Sequence, residues 1–111
     1  MSKLEDALNQ ITDPAVAEAK SQFEQMIEEG KDASETFIQS SSEQLEQWII
    51  DLSNGALTQA EFDELISAQT IVAKNFVASQ SQAAQERAEQ LTIKTLEFAA
   101  TKIVPILIAA I

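Results

Sequence analysis

Ser53-Asn54-Gly55-Ala56-Leu57-Thr58-Gln59-Ala60-Glu61-Phe62 is the stretch that decides how this chain folds. Asn and Gly tolerate the left-handed backbone that ends helices. Thr58-Gln59-Ala60-Glu61 then has the form of a capping box, in which a hydroxyl and a carboxylate each satisfy a backbone donor left without a partner at a helix start. One helix therefore ends near residue 53 and the next begins at 58. A connection this short folds the second helix back along the first.

On the N-terminal side, Val16, Ala19, Phe23, Met26 and Ile27 recur at three- and four-residue steps. Ala33, Phe37, Ser41, Leu45, Trp48, Ile49 and Leu52 continue the rhythm in phase across Gly30. Thr12-Asp13-Pro14 marks a start, since proline at the first helical position loses only a hydrogen bond that was missing anyway. The expected element is one helix over 14–53, kinked at Gly30. The competing reading breaks it there, with Asp32-Ala33-Ser34-Glu35 as a second capping box. Before it, Ser2-Lys3-Leu4-Glu5 caps a short helix over 3–11 that carries Leu4, Leu8 and Ile11 on one face.

On the C-terminal side, nothing breaks the chain until Pro105. Phe62, Leu65, Ile66, Val72, Phe76, Ala83, Leu91, Ala99 and Ile103 approximate one face of a helix over 58–104, about 70 Å long at 1.5 Å per residue. The middle, Ala78 to Gln90, holds only alanines as apolar residues. It either packs closely on a partner or breaks near Ser79-Gln80-Ser81-Gln82. If the arms pair with residue numbers summing to about 110, Trp48 meets Phe62, Leu45 meets Leu65, Phe37 meets Val72 and Ala73, and Gly30 lies near Gln80. The fold class is thus all-α: a long antiparallel helical hairpin with a short N-terminal helix, in a single domain over 1–111. A seam so thin leaves apolar surface outside, and such pairs bury the remainder in an oligomeric bundle or coiled-coil-like assembly.

Composition narrows the function. The 111 residues include no His, no Cys and no Tyr. Imidazole acid–base chemistry, thiol chemistry and zinc sites built on Cys or His are therefore absent, and no cofactor is expected. The net charge of -11 repels nucleic-acid phosphates, and no basic cluster offsets it. Residues 1–64 hold 15 acidic and 3 basic side chains against 3 and 4 in residues 65–111, so the first part carries almost all of the excess. No charged segment followed by an apolar run opens the chain, which points to the cytoplasm. Carboxylates at three-residue spacing, Glu43 with Glu46 and Glu61 with Glu64, read as solvated faces, because a thin hairpin offers paired acids no pocket.

The apolar tail 105–111, Pro105-Ile106-Leu107-Ile108-Ala109-Ala110-Ile111, continues Ile103-Val104 and follows Lys102. It is too short to span a bilayer, which takes about 20 apolar residues. Three readings fit it: burial in an oligomer, cover by Leu4, Leu8 and Ile11, or shallow insertion at a membrane surface with Lys102 reaching for headgroups.

Asn54 through Phe62 resembles the second half of an EF-hand calcium loop, with Gly55, Leu57 and Glu61 at that family's glycine, aliphatic and bidentate-glutamate positions. The positions of the first two carboxylate ligands hold Ile50 and Leu52, which have no oxygen to offer. Leu45 through Leu65 is similar to the short helical hairpins called SHOCT domains, through Gly55, Leu57-Thr58 and Glu61-Phe62. That resemblance implies self-association.

The expectation is a non-enzymatic structural or interaction protein that self-associates as a homo-oligomer. Its interface would draw on Phe62, Leu65, Val72, Phe76, Leu91, Phe98, Ile103, Ile106 and Leu107, with Asn54, Gly55, Thr58 and Glu61 forming the turn. The alternatives are a membrane-associated or pore-type component that uses the apolar C-terminal end, peripheral to a membrane surface, and a small accessory subunit of another helical protein.

Overall fold

A computed structural model describes residues 3–110, so the expected cap at Ser2 and the last residue, Ile111, lie outside the described residues. The described chain is all-helical, without a strand. Its elements are α1 (Lys3–Leu8), a 3-10 turn (Pro14–Val16), α2 (Ala17–Lys31), α3 (Thr36–Ser53), α4 (Gln59–Ala78), α5 (Gln82–Leu91), α6 (Ile93–Phe98), a π-helical turn (Ala99–Ile103) and α7 (Val104–Ala110).

The hairpin at Asn54-Gly55 is present, but each expected arm is folded once more. The first breaks at Asp32–Glu35 and the second at Ser79–Ser81, so the chain makes four passes: α2, α3, α4, and the bent rod α5–α6–α7. α3 packs on α2 and α4, while the fourth pass packs on α4 and α2. This is an up-down-up-down four-helix bundle. α1 lies on the C-terminal end of α3, where Gln10 Nε2 donates to the Ser53 carbonyl at 3.3 Å. The molecule measures 41 × 25 × 22 Å, so the expected rod of about 70 Å does not exist. The physical reason is burial. Two long amphipathic helices cover only a seam of each other, whereas folding each arm back surrounds both stripes.

The local causes can be named. Gly30 does not end α2; it lies inside the last turn, buried, where α3 comes closest. The chain turns just after it, and the Asp32 N–H still donates to the Glu28 carbonyl. The second capping box does not form. Glu35 occupies the N-cap of α3 without a side-chain cap bond, and Gln39 Nε2 donates to the Ala33 carbonyl instead. Lys31 fastens the reversal, its Nζ at 3.2 and 3.3 Å from the two carboxylate oxygens of Glu46. Burial alone would push the Lys31 ammonium down, but the hydrogen bond and charge of Glu46, helped by Glu28 and Glu43, hold it above its ordinary value.

At the second break, Ser79 Oγ donates to the Phe76 carbonyl at 2.6 Å and the Gln80 N–H to the Val77 carbonyl at 3.0 Å. A further kink falls at Thr92, whose φ of -120° and ψ of -77° are not helical. Pro105 does not end the last helix, which runs on to Ala110. Proline cannot donate to the carbonyl four residues back, and its ring would crowd it. A π turn precedes it, and the Val104 N–H reaches the Ala99 carbonyl five residues back, so the widened turn accommodates the proline and the helix continues.

The main core joins Leu4, Leu8 and Ile11 to Phe23, Ile27, Leu45, Ile49, Leu52, Phe62, Leu96, Ile103, Val104 and Leu107. The apolar tail is buried in part within the chain: Ile103, Val104 and Leu107 share one core with Leu4, Leu8 and Ile11, and α7 packs on α3. A smaller cluster of Ala33, Ile38 and Leu91, flanked by Phe76, lies at the other end. Between the two sit Gly30 and the buried hydroxyls of Ser41, Ser42 and Thr92. Gln69 of α4 reaches Ser41 Oγ at 3.3 Å.

A Cβ at Gly30 would fall on Ser42 Oγ, which makes no hydrogen bond. Gly30→Ala is therefore expected to lower stability by about 1–2 kcal/mol, overpacking outweighing the gain in helix propensity. Ser42→Ala, which removes a buried hydroxyl without a partner, is expected to be neutral or stabilising by up to about 1 kcal/mol. Chemical denaturation of the two variants measures both signs; a stabilised Gly30→Ala would mean that the helices can part at no cost.

Candidate functional site

The turn is built as the sequence predicts. Gly55 has φ 83°, the sole positive value in the described chain. The Ala56 N–H donates to Asn54 Oδ1 at 3.1 Å, and the Ala56 and Leu57 N–H groups converge on the Asp51 carbonyl at 2.9 and 3.2 Å. Thr58 Oγ1 accepts from the Glu61 N–H at 3.1 Å, and Glu61 Oε1 accepts from the Thr58 N–H at 2.9 Å, which completes the capping box. At the positions of the EF-hand likeness, Glu61 Oε1 is bound to the helix start and Asn54 Oδ1 to the Ala56 N–H. Among the described residues no group of three or more Asp, Glu, His or Cys side chains is placed to hold a metal ion.

The hydrogen bonds from Thr58 hold the Glu61 carboxyl below its usual value. A carboxylate with a depressed folded-state pKa adds stability above its unfolded pKa and loses it as pH falls through the folded one. The stability gap between the native chain and Glu61→Gln should accordingly be open at neutral pH and close below about pH 4. Urea titrations at several pH values read this directly; a gap that does not vary with pH would remove the carboxylate from the cap.

The residues expected at an interface separate into three groups. Phe62, Leu91, Ile103 and Leu107 are buried within the chain's own core. Leu65, Phe76, Phe98 and Ile106 are half-buried, with Phe76 stacked on Phe37 at 4.5 Å and Phe98 on Phe23 at 6.3 Å. Val72 alone is exposed, at 48%. The register near 110 holds where Ser41 meets Gln69. Phe37 takes Phe76 as its partner instead of Val72, and Gly30 faces Ser42 and the Leu91 carbonyl instead of Gln80. Trp48, half-buried, packs against the main core to which Phe62 belongs.

Ile71 belonged to no expected surface, yet it is 63% exposed. The signal was available in the spacing. Phe62, Ile66 and Ala73 are the buried residues of α4, and at 100° per residue Ile71 lies opposite them. Glu64, Ala68, Ile71 and Asn75 follow one another along this outer face, all exposed, with Leu65 and Val72 on its shoulder.

Elsewhere the surface is shallow. An open groove of about 410 Å³ between the end of α2 and α5 is lined by Glu29, Asp32, Arg87, Gln90 and Leu91. It is a charged rim around a single apolar side chain, unlike the mostly apolar concavities that enclose small ligands. Arg87 is also 3.7 Å from Glu35 across that end of the bundle. No described helix is long and apolar enough to cross a membrane. Compared with protein-family models, with curated proteins and with solved structures, the chain matches none, and the SHOCT likeness has no family-model match behind it.

Proposed function

We propose that this chain is a non-enzymatic interaction protein that self-associates, with the outer face of α4 as its working surface. The observation that carries the proposal is the joint exposure of Ile71 and Val72 on a chain whose other described large aliphatic side chains are buried wholly or in part. Two β-branched residues side by side on a surface helix add little to the monomer and cost solubility, so a contact that covers them supplies their reason. The SHOCT-like turn, whose resemblance implies self-association, leads directly into this helix.

This moves the contact from the stripe to its opposite side. Phe62, Leu91, Ile103 and Leu107 hold the monomer together, and assembly through them would require the bundle to open. Attachment of the apolar end to a membrane surface carries the same cost, since Ile103, Val104 and Leu107 would have to leave the core.

Sedimentation equilibrium on the full chain, from micromolar to millimolar, tests the proposal. The mean mass should rise with concentration. Ile71→Ser with Val72→Ser should hold it at the monomer value while leaving helicity unchanged and stability within about 0.5 kcal/mol of the native chain, as is usual for surface sites. A native chain that stays monomeric throughout rejects self-association and leaves the accessory-subunit reading.

A further inference from the structure

The distribution of charge along α4 specifies how a second copy would sit, given the self-association proposed above. The boundary between the acidic and near-neutral parts of the sequence falls inside this helix. Its first turns carry Glu61, Asp63 and Glu64, and its later part carries Lys74. All four are exposed, and Lys74 makes no ion pair within the described chain.

We infer that two copies dock through α4 in antiparallel fashion about an axis between Gln69 and Thr70, so that Lys74 of each lies opposite Asp63 and Glu64 of the other. In this register Ile71 of one copy covers Ala68 of the other, whose small side chain admits close approach, and Val72 comes within two residues' rise of Leu65, which shares its shoulder of the helix. Residues that sum to about 139 face each other, which brings Glu64 level with Asn75 and within one residue's rise of Lys74. A parallel arrangement would set three acids against the same three acids and Lys74 against itself. Like charges so placed are repulsive, whereas the antiparallel register pairs every one of them with its opposite or with a neutral residue. The chains, each at -11, repel at long range, but at physiological salt that repulsion is screened beyond about 8 Å, which leaves the local pairs to set the orientation. With 20 residues α4 is about 30 Å long, enough for this contact to run over several turns.

Charge reversal separates the orientation from association itself. Lys74→Glu and Glu64→Lys, measured singly by sedimentation equilibrium, should each weaken the dimer about tenfold, since two symmetry-related pairs are inverted at once. The double variant Glu64→Lys/Lys74→Glu in one chain should restore native affinity, because each lysine introduced at position 64 again faces a carboxylate. Circular dichroism on the same samples confirms that these surface changes leave the fold intact. If the native chain dimerises and the single variants do so equally well, or if Lys74→Glu binds the native chain more tightly than the native chain binds itself, the antiparallel register is overturned while self-association stands. A monomeric native chain overturns both.

Discussion

Between Ile27 and Ala33, α2 offers α3 a residue without a side chain, and the space that a Cβ would take is filled by Ser42 Oγ. This contact between Gly30 and Ser42 sets how near the two helices lie, and the rest of the bundle follows from it. On one side of the crossing Phe23 and Ile27 meet Leu45 and Ile49, and on the other Ala33 meets Ile38. The Leu91 carbonyl of the fourth pass approaches the same point. Helix axes are held apart by the side chains between them, so a glycine at the crossing draws three passes together. The buried hydroxyls of Ser41 and Ser42, with Gln69 donating to Ser41 Oγ, and on the fourth pass that of Thr92, next to Leu91, make this a polar layer within the core. A slip of one helical turn would set a bulky side chain against α3 and strand hydroxyls among hydrocarbon. The layer costs some stability, since Ser42 is unsatisfied, and in return it fixes the register.

Much of this was legible in the sequence. The helical class, the Asn54-Gly55 reversal, the Thr58–Glu61 box and the meeting of the tail with Leu4, Leu8 and Ile11 in one core each rest on chemistry local to a few residues, or on a register that one turn fixes. The additional folds of the arms were harder to read. A stripe that stays in phase across Gly30 looks like one helix, yet a tight reversal keeps the same core on the same side, so phase alone cannot separate a straight helix from a folded one. Ser79-Gln80-Ser81 was visible as a weak segment because nothing large and apolar holds it. Thr92 left no comparable mark; its kink lies where the fourth pass bends to keep contact with α2 on both sides of it. Pro105 misled in the opposite direction, because the π turn before it lets the helix continue.

The same folding explains why the expected interface dissolved. Phe62, Leu91, Ile103 and Leu107 were assigned to contacts between chains on the premise that a hairpin cannot cover its own stripe. Once each arm doubles back, the chain supplies the cover itself, and what remains for a partner is the surface that the stripe does not use. On α4 that surface is defined by subtraction. Phe62, Ile66 and Ala73 face inward, Phe76 is taken by Phe37, and Ile71 with Val72 is left over. A residue pair one step apart spans 100° of helix, so no single inward face could have buried Ile71 together with Phe62 and Ile66.

Charge then acts where the core has finished. The acidic excess lies on the chain from α1 to the first turns of α4, while the closing rod from α5 to α7 is close to neutral. The core needs this asymmetry for nothing, since its buried polar groups are uncharged hydroxyls. What the asymmetry does is give α4 a direction. A helix with its acids at one end and its base toward the other can meet a copy of itself without conflict in only one of two orientations, and the pair of aliphatic residues at 71 and 72 lies close to the point where those orientations differ least. Apolar contact thus provides the attraction, and the charges on either side decide its sense.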